Sequence, residues 1–482
     1  YSVVEDGFCY DDVSKTTLVA YIGNSSNITI PNTVTEIKNN AFANNSNITS
    51  VDLGGNVTTI GTNVFYGCDN IVTVQVSNTL NLSNTALYFT KSGIRYKVLS
   101  ESTAQLVSAQ TTLSGTIDAT TVTSGNTFTV NSVAGGALKN CTLVTSVVLP
   151  SGMSAIADET FYNCTSLQTV NLYSGLDFGE YAFYNCTNLA ISVSIGYSDN
   201  VGKYTFYNCS SLTITLNDCY YAFGEYAFYG CLGITNVLLS ATNKINEGVF
   251  ENCTNLTTVT LGYRIKSIGK NAFKGCTSLN SLTLNTSSTR ISRKNSSYRY
   301  IHTYDKYYDC NKLSSIGESA FENCSSLTTL NIPYSYTSIE QNNETFYDFQ
   351  VSSMGDNAFK GCTSLTSVLI LNFTNNIGTD IFANCPNISV LSYQTKNLQT
   401  YFASLQSLAT SLTELSIGTN IPDTGRMTTD TDYRYTYVSN VVDCYNGCSN
   451  LDKVTVNKSA YNLSSAFDNT QITDLTVEHS WA

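Results

Sequence analysis

The chain repeats itself at a fixed interval. TFYNCTSLQTVNL, from Thr160 to Leu172, recurs in near-copies anchored at Phe42, Phe65, Leu138, Phe161, Phe183, Phe206, Phe228, Phe250, Phe273, Phe321, Phe359, Phe382, Tyr445 and Phe467. Anchors 138, 161, 183, 206, 228, 250 and 273 lie 22 or 23 residues apart. Such a period marks a repeat architecture. One unit of this size cannot bury its apolar face alone, whereas stacked units can.

The consensus is I-x-x-x-A-F-x-[NG]-C-x-x-L-x-x-[VL]-x-[LI]. Leu167, Val170 and Leu172 fit a short strand with Thr169 and Asn171 pointing outward. Ile156 to Phe161 points apolar groups from a turn or short helical segment onto the same core. Stacking predicts an α/β repeat, a right-handed curved solenoid with a parallel sheet rising about 4.8 Å per unit.

SIGKNAFKGCTSLNSLTL and SIGESAFENCSSLTTLNIP resemble the BspA-like class of leucine-rich repeats, over roughly 30–87 and 131–477. That resemblance implies a leucine-rich-repeat solenoid belonging to a surface or secreted protein, with adhesion and binding of extracellular protein as its role.

Two stretches break the period. Gly7 to Pro31 alternates like a hairpin, so residues 1–30 are expected to form an N-terminal β cap before a first repeat segment at 31–87. GIRYKVLSESTAQLVSAQTTLSGTI, from Gly93 to Ile117, looks like a second copy of that block within an irregular β segment at 88–130. The main solenoid is expected at 131–482. Two arrangements stay open: a short stack followed by a restarted one, or one stack with an irregular patch near 78–131.

Twelve of the 16 cysteines occupy the motif position. Metal binding needs ligands that converge, and one cysteine per coil instead forms a line. The two histidines, His302 and His479, lie far from any motif cysteine. The expected arrangement is a column of small buried thiols. The residue before each cysteine is Gly or Asn, the types that best tolerate positive φ, which argues for a left-handed turn there. Cys9, Cys219, Cys310 and Cys444 lie off the column and could form one or two disulfides in an oxidising compartment.

Twenty N-x-[ST] sequons occur, at Asn24, Asn27, Asn44, Asn47, Asn56, Asn81, Asn140, Asn163, Asn185, Asn208, Asn252, Asn255, Asn285, Asn295, Asn323, Asn343, Asn372, Asn387, Asn457 and Asn462. They are candidate N-glycosylation sites, although an Asn-, Ser- and Thr-rich chain produces many by composition alone. Charged residues are only 12% of the chain, and the net charge of -12 is scattered without any run. That argues against nucleic acid and anionic membrane as partners. No apolar stretch approaches the length of a membrane-spanning helix. The neutral, hydrogen-bonding composition suits an extracellular or cell-surface protein.

Nothing assembles into an active site. No phosphate-binding glycine loop or nucleophile–histidine set is present, no cofactor is implied, and DTDYRY near Asp430 is a weak match to a calcium loop. Interest falls instead on three insertions, at about 285–312, 334–350 and 418–441, which follow the strand residues Leu284, Ile332 and Ile417. Equivalent positions share one edge of a solenoid. The insertions hold Tyr298, Arg299, Tyr300, Tyr304, Tyr307, Tyr308, Tyr334, Tyr336, Tyr347, Tyr433, Arg434 and Tyr435. Tyr and Arg are enriched at interface hot spots, so this lobe is the candidate recognition surface. A second candidate is the stripe of Tyr66, Tyr162, Tyr184, Tyr207 and Tyr229, thickened by Tyr181 and Tyr226. Two functions follow: a non-enzymatic protein-binding adhesin, or a structural glycoprotein whose copies assemble into a filament, coat or sheet.

Overall fold

Each coil is held by a division of labour among its turn amides. In the coil around Phe161, the amides of Glu159, Phe161 and Asn163 donate to the carbonyls of Glu180, Ala182 and Tyr184 in the next coil, at 2.9, 2.8 and 2.7 Å. The intervening amides of Thr160, Tyr162 and Cys164 close local turns onto Ala157, Glu159 and Phe161. A helix would require consecutive amides to bond four residues back within one segment. Here every second amide is committed to the neighbouring coil. Positive φ at Glu159 (55°) and Asn163 (59°) also interrupts any right-handed run.

These contacts come from a computed structural model that describes residues 3–216, 219–262, 264–284, 313–332, 338–341, 344–347, 351–395, 411–417, 438–439, 448–456, 460–461, 470 and 472–477. Among the described residues there is no helix, so the coils are all-β and the expected α/β class is corrected. The segments expected to be a turn or a short helix are successive hydrogen-bonded turns. What remains of that expectation is a solenoid of stacked coils joined by parallel strands.

The chain divides into two compact units, Tyr1–Ile191 with Thr205–Ser211, and Ser192–Tyr204 with Leu212–Ala482. In the first, Val3–Glu5, Phe8–Tyr10 and Thr17–Tyr21 pair antiparallel, and Thr17–Tyr21 then runs parallel to Glu36–Ile37. Ile28, Val51 and Val74 align across the parallel strands Asn27–Thr29, Ser50–Asp52 and Thr73–Gln75, all three buried. The same order of pairings recurs further on. Tyr88–Lys91, Ile94–Val98 and Thr103–Ala109 are antiparallel neighbours, and Thr103–Ala109 runs parallel to Asn126–Val133. This block is tied to the preceding coil. The Asn126 amide group donates to the carbonyls of Val76 and Glu101, both at 2.7 Å, and the Ser124 hydroxyl donates to Val72.

In the second unit, Asn236–Leu239, Thr258–Leu261 and Ser281–Leu284 form one parallel sheet. Thr329–Ile332 pairs with Ser367–Ile377 in another. On the turn side, Ser267–Ile268 pairs directly with Ser315–Ile316, bypassing the whole 285–312 insertion. Phenylalanine rings fill the core between the two rows of strands. Phe228, Phe250, Phe273, Phe321, Phe359 and Phe382 stack at centroid spacings of 5.6, 5.3, 5.1, 5.1 and 5.9 Å. All six are buried, each contributing about 1.5–3 kcal/mol through removal from water.

Candidate functional site

The motif cysteines are fixed by a bond that the sequence did not announce. The thiol of Cys164 donates to the Leu138 carbonyl at 3.1 Å, Cys186 to Phe161 at 3.1 Å and Cys209 to Phe183 at 3.0 Å. In the second unit Cys253, Cys276 and Cys324 donate in the same way to Phe228, Phe250 and Phe273. The acceptor is the anchor residue one coil back, whose carbonyl also takes its own coil's cysteine amide. Burial pushes the thiols of Cys164, Cys209 and Cys253 up to about 12. Such thiols are neutral and poorly nucleophilic. Cys362 and Cys385 follow the same pattern, donating to the carbonyls of Phe321 at 3.3 Å and Phe359 at 3.2 Å. No metal-binding cluster occurs among the described residues. Of the off-column cysteines, Cys9 is a buried free thiol and Cys219 donates to the Ile195 carbonyl, while Cys310 and Cys444 lie outside the described residues.

The residue before the cysteine adopts the left-handed conformation. Asn140, Asn163, Asn185, Asn208, Asn252, Asn323 and Asn384 have φ between 59° and 63°, and Gly67, Gly230, Gly275 and Gly361 between 68° and 74°. The asparagines also form a ladder in the first unit. Asn163 donates its amide hydrogen to Asn140 at 3.3 Å, Asn185 to Asn163 at 2.8 Å and Asn208 to Asn185 at 2.8 Å. In the second unit Asn252 donates to the Tyr229 hydroxyl at 2.8 Å. These sequon nitrogens are therefore committed between coils. Those of Asn56, Asn255 and Asn387 donate to carbonyls one coil back. Asn24, Asn27, Asn47 and Asn81 are exposed. The sequon asparagines Asn285, Asn295, Asn343, Asn457 and Asn462 lie outside the described residues.

Of the tyrosine stripe, Tyr66 is 60% exposed, whereas the three that follow Phe161, Phe183 and Phe206 close on one another. Tyr162, Tyr184 and Tyr207 stack at 4.9 and 4.8 Å, so each ring covers the face of the next and only edges and hydroxyls remain. Lys139 sits 4.7 Å over the Tyr162 ring. In the second unit Tyr226 stacks on Tyr204 at 5.2 Å and donates its hydroxyl to Glu247 at 2.8 Å. Turn charges there pair from coil to coil, Lys270 with Glu318 at 3.0 Å and Lys274 with Glu322 at 2.9 Å. Partly exposed pairs like these contribute little individually.

Of the insertion lobe, Tyr347 falls in the strand Glu344–Tyr347, which forms a hairpin with Ser338–Gln341. The remaining lobe residues, Tyr298, Arg299, Tyr300, Tyr304, Tyr307, Tyr308, Tyr334, Tyr336, Tyr433, Arg434 and Tyr435, lie outside the described residues. The described part of the second unit nevertheless has exposed aromatics at the corresponding place, beyond the ends of its strands. Tyr197 follows the strand Ser192–Ile195, and Tyr220 and Tyr221 follow Thr213–Leu216. They are 57%, 46% and 46% exposed. Tyr197 and Tyr220 lie 5.4 Å apart, Tyr221 meets Tyr220 edge-on at 5.3 Å, and the Tyr220 amide donates to the Tyr197 carbonyl at 2.9 Å. Sequence reading passed over this trio because no change of repeat length flags it. The available signal was its position, just after a strand, where the insertions also begin.

The family model for the BspA type leucine rich repeat region matches in six copies, over residues 19–109, 110–235, 177–301, 221–350, 343–428 and 429–482. Among solved structures, the chain is similar to a leucine-rich repeat protein of Bacteroides ovatus at 18% identity, covering 87% of this chain and 100% of that one, with a TM-score of 0.41. It is similar to a leucine rich cell surface protein of Faecalibacterium prausnitzii at 19% identity, covering 82% and 95%, with a TM-score of 0.32. Among curated proteins, none matches.

Proposed function

The chain belongs to the BspA-type leucine-rich-repeat family, and from that premise we propose that it is a non-enzymatic extracellular protein that binds protein partners at a cell surface. The observation that carries the reading is the exposed trio Tyr197, Tyr220 and Tyr221 beyond the strand ends. Rigid, solvent-facing tyrosines supply contact area at low entropic cost. Catalysis is disfavoured because the thiols of Cys164, Cys209 and Cys253 are buried, bonded to carbonyls and held neutral. No helix among the described residues is long and apolar enough to cross a membrane. N-linked glycans on exposed Asn24, Asn27, Asn47 and Asn81 are part of this proposal.

The test is binding of the purified chain to immobilised extracellular-matrix and epithelial surface proteins, compared with the Tyr197→Ser/Tyr220→Ser variant. Saturable binding that falls at least tenfold in the variant is the expected result. Equal binding by both proteins would exclude this edge.

Self-assembly is the second reading, and the exposed Tyr197, Tyr220 and Tyr221 suit contact with another copy as well. Concentration-dependent polymers seen by light scattering, and lost on Tyr197→Ser/Tyr220→Ser, would put assembly ahead of adhesion.

A further inference from the structure

The strands of the second unit turn an uncharged face to solvent. Six of them, Ser192–Ile195, Thr213–Leu216, Asn236–Leu239, Thr258–Leu261, Ser281–Leu284 and Thr329–Ile332, place their first and third residues outward. Every outward residue is Ser, Thr or Asn except Leu238. Register puts like beside like. Ser194 faces Thr215, Thr258 sits between Asn236 and Ser281, and Thr260 faces Thr283. Charge reaches the outward positions further along, where Lys453 pairs with Glu414 at 2.8 Å and is in register with Asp474. The trio Tyr197, Tyr220 and Tyr221 lies just beyond the ends of the first two strands.

We propose that this hydroxyl- and amide-lined face, with Tyr197 and Tyr220 at its rim, binds a neutral oligosaccharide chain. The inference rests on reading the protein as an extracellular binder, and it names the chemistry of what is bound. Thr258 gives its hydroxyl proton to the Asn236 side-chain oxygen and Asn236 donates to the Thr235 hydroxyl, but oxygens of this kind keep further acceptor positions, and hydroxyls and amides meet a polyol as donor or as acceptor. It offers no cation to an anionic ligand and no carboxylate to a basic one. A protein partner is a poorer match for the face itself. Protein hot spots are aromatic or Arg anchors in desolvated pockets, and this face has a single exposed apolar side chain, Leu238. Covering many hydroxyls with apolar groups would leave them unpaired, at a cost a sugar's own hydroxyls avoid. The rim tyrosines supply the remaining element of sugar recognition. The negative face of an exposed phenol ring takes the C–H-lined face of a pyranose. Tyr197 and Tyr220 are held in position by the backbone bond between them.

The experiment is calorimetric titration of the full chain with a panel of linear neutral hexasaccharides: glucose-, mannose- and N-acetylglucosamine-based, in α and β linkage. The expected result is binding of at least one member, unchanged between about 0.05 and 0.5 M salt because no charge pairing is involved. Tyr197→Ala/Tyr220→Ala and, separately, Thr215→Asp should each weaken it at least tenfold with circular dichroism unchanged. Thr215 is exposed, so its replacement tests the face without touching the core. Failure of every panel member to bind overturns the proposal, as does binding that both variants leave intact. Binding to immobilised proteins is read in parallel. If it persists without any oligosaccharide binding, the glycan inference falls and the adhesive reading stands.

Discussion

Gly248 is the position where the packing makes its sharpest demand. Its φ is +60°, and a Cβ built there would lie 2.2 Å from two carbons of the Tyr226 ring. Replacing it with Ala imposes a left-handed conformation costing about 1–2 kcal/mol. It also drives the ring away from Tyr204, forfeiting about 0.5–1.5 kcal/mol of stacking. The hydroxyl bond to Glu247 goes with it, at about 1.5–3 kcal/mol before allowance for partial solvent access. The expected sum for Gly248→Ala is about 3–5 kcal/mol, and most of it belongs to Tyr226 rather than to the backbone. In a Tyr226→Ala background the same change should add only about 1–2 kcal/mol, the backbone term alone. A repeat array need not unfold in one step, so a global midpoint is the wrong measurement. Local hydrogen exchange is the right one, read at the amides of Gly248 and Phe250, which bond to Lys270 and Ala272. At about 1.4 kcal/mol per tenfold, Gly248→Ala should speed exchange by two orders of magnitude or more, and by about tenfold in the Tyr226→Ala background. Equal acceleration in both backgrounds would refute the argument, since the ring would then play no part. Tyr226, Asn271 and Ser319 occupy this position in other coils at φ of 55° to 56°, so the backbone strain by itself is tolerated.

Other outcomes follow from the same contacts. At pH 8 the thiols of Cys164, Cys209 and Cys253 should resist iodoacetamide in the native chain and react fully in denaturant, counted by intact mass. Burial raises the Glu251 carboxyl, so its proton is bound more tightly in the folded than in the unfolded chain. Glu251 therefore favours the folded state below its unfolded pKa, and that advantage is lost as pH rises through the folded one. Glu251→Gln should accordingly slow exchange in its coil at neutral pH and flatten the dependence on acid. If the chain is expressed through a glycosylating secretory pathway, glycopeptide mapping should find sugar on Asn24, Asn47 or Asn81, and none on Asn163 or Asn185, whose amides are held between coils.

Most of the scaffold could be read from residue order because each motif position has one dominant physical reason. Phe161 and Leu167 recur for burial, and Asn163 alternates with Gly for backbone conformation. The second left-handed position could not be read. Glu159, Tyr181, Tyr204 and Ser319 adopt it although none is a customary left-handed residue. There the inter-coil hydrogen bonds on either side impose the conformation, and only the assembled stack contains them. For the same reason the sequence left turn and short helix open before each strand, because apolar spacing cannot tell an amide bonded within its coil from one bonded to the next. The thiol–carbonyl bonds were hidden for a related reason, since each joins residues 25 or 26 positions apart in the regular coils. Tyr197 and Tyr220 were overlooked because exposure, unlike insertion, leaves no mark on the period.

The alternating amides of the turns carry an implication for heredity. Each regular coil presents the same row of donors to one neighbour and the same row of acceptors to the other. A gene that gains or loses one whole unit of this kind therefore yields a chain in which every backbone group at the junction still finds its counterpart. A gain of half a unit would strand them. Chain length in such a lineage is free to drift in steps of one coil, while spacing inside a coil is held rigid. The direct pairing of Ser267–Ile268 with Ser315–Ile316 shows the stack resuming in register after the inserted residues 285–312.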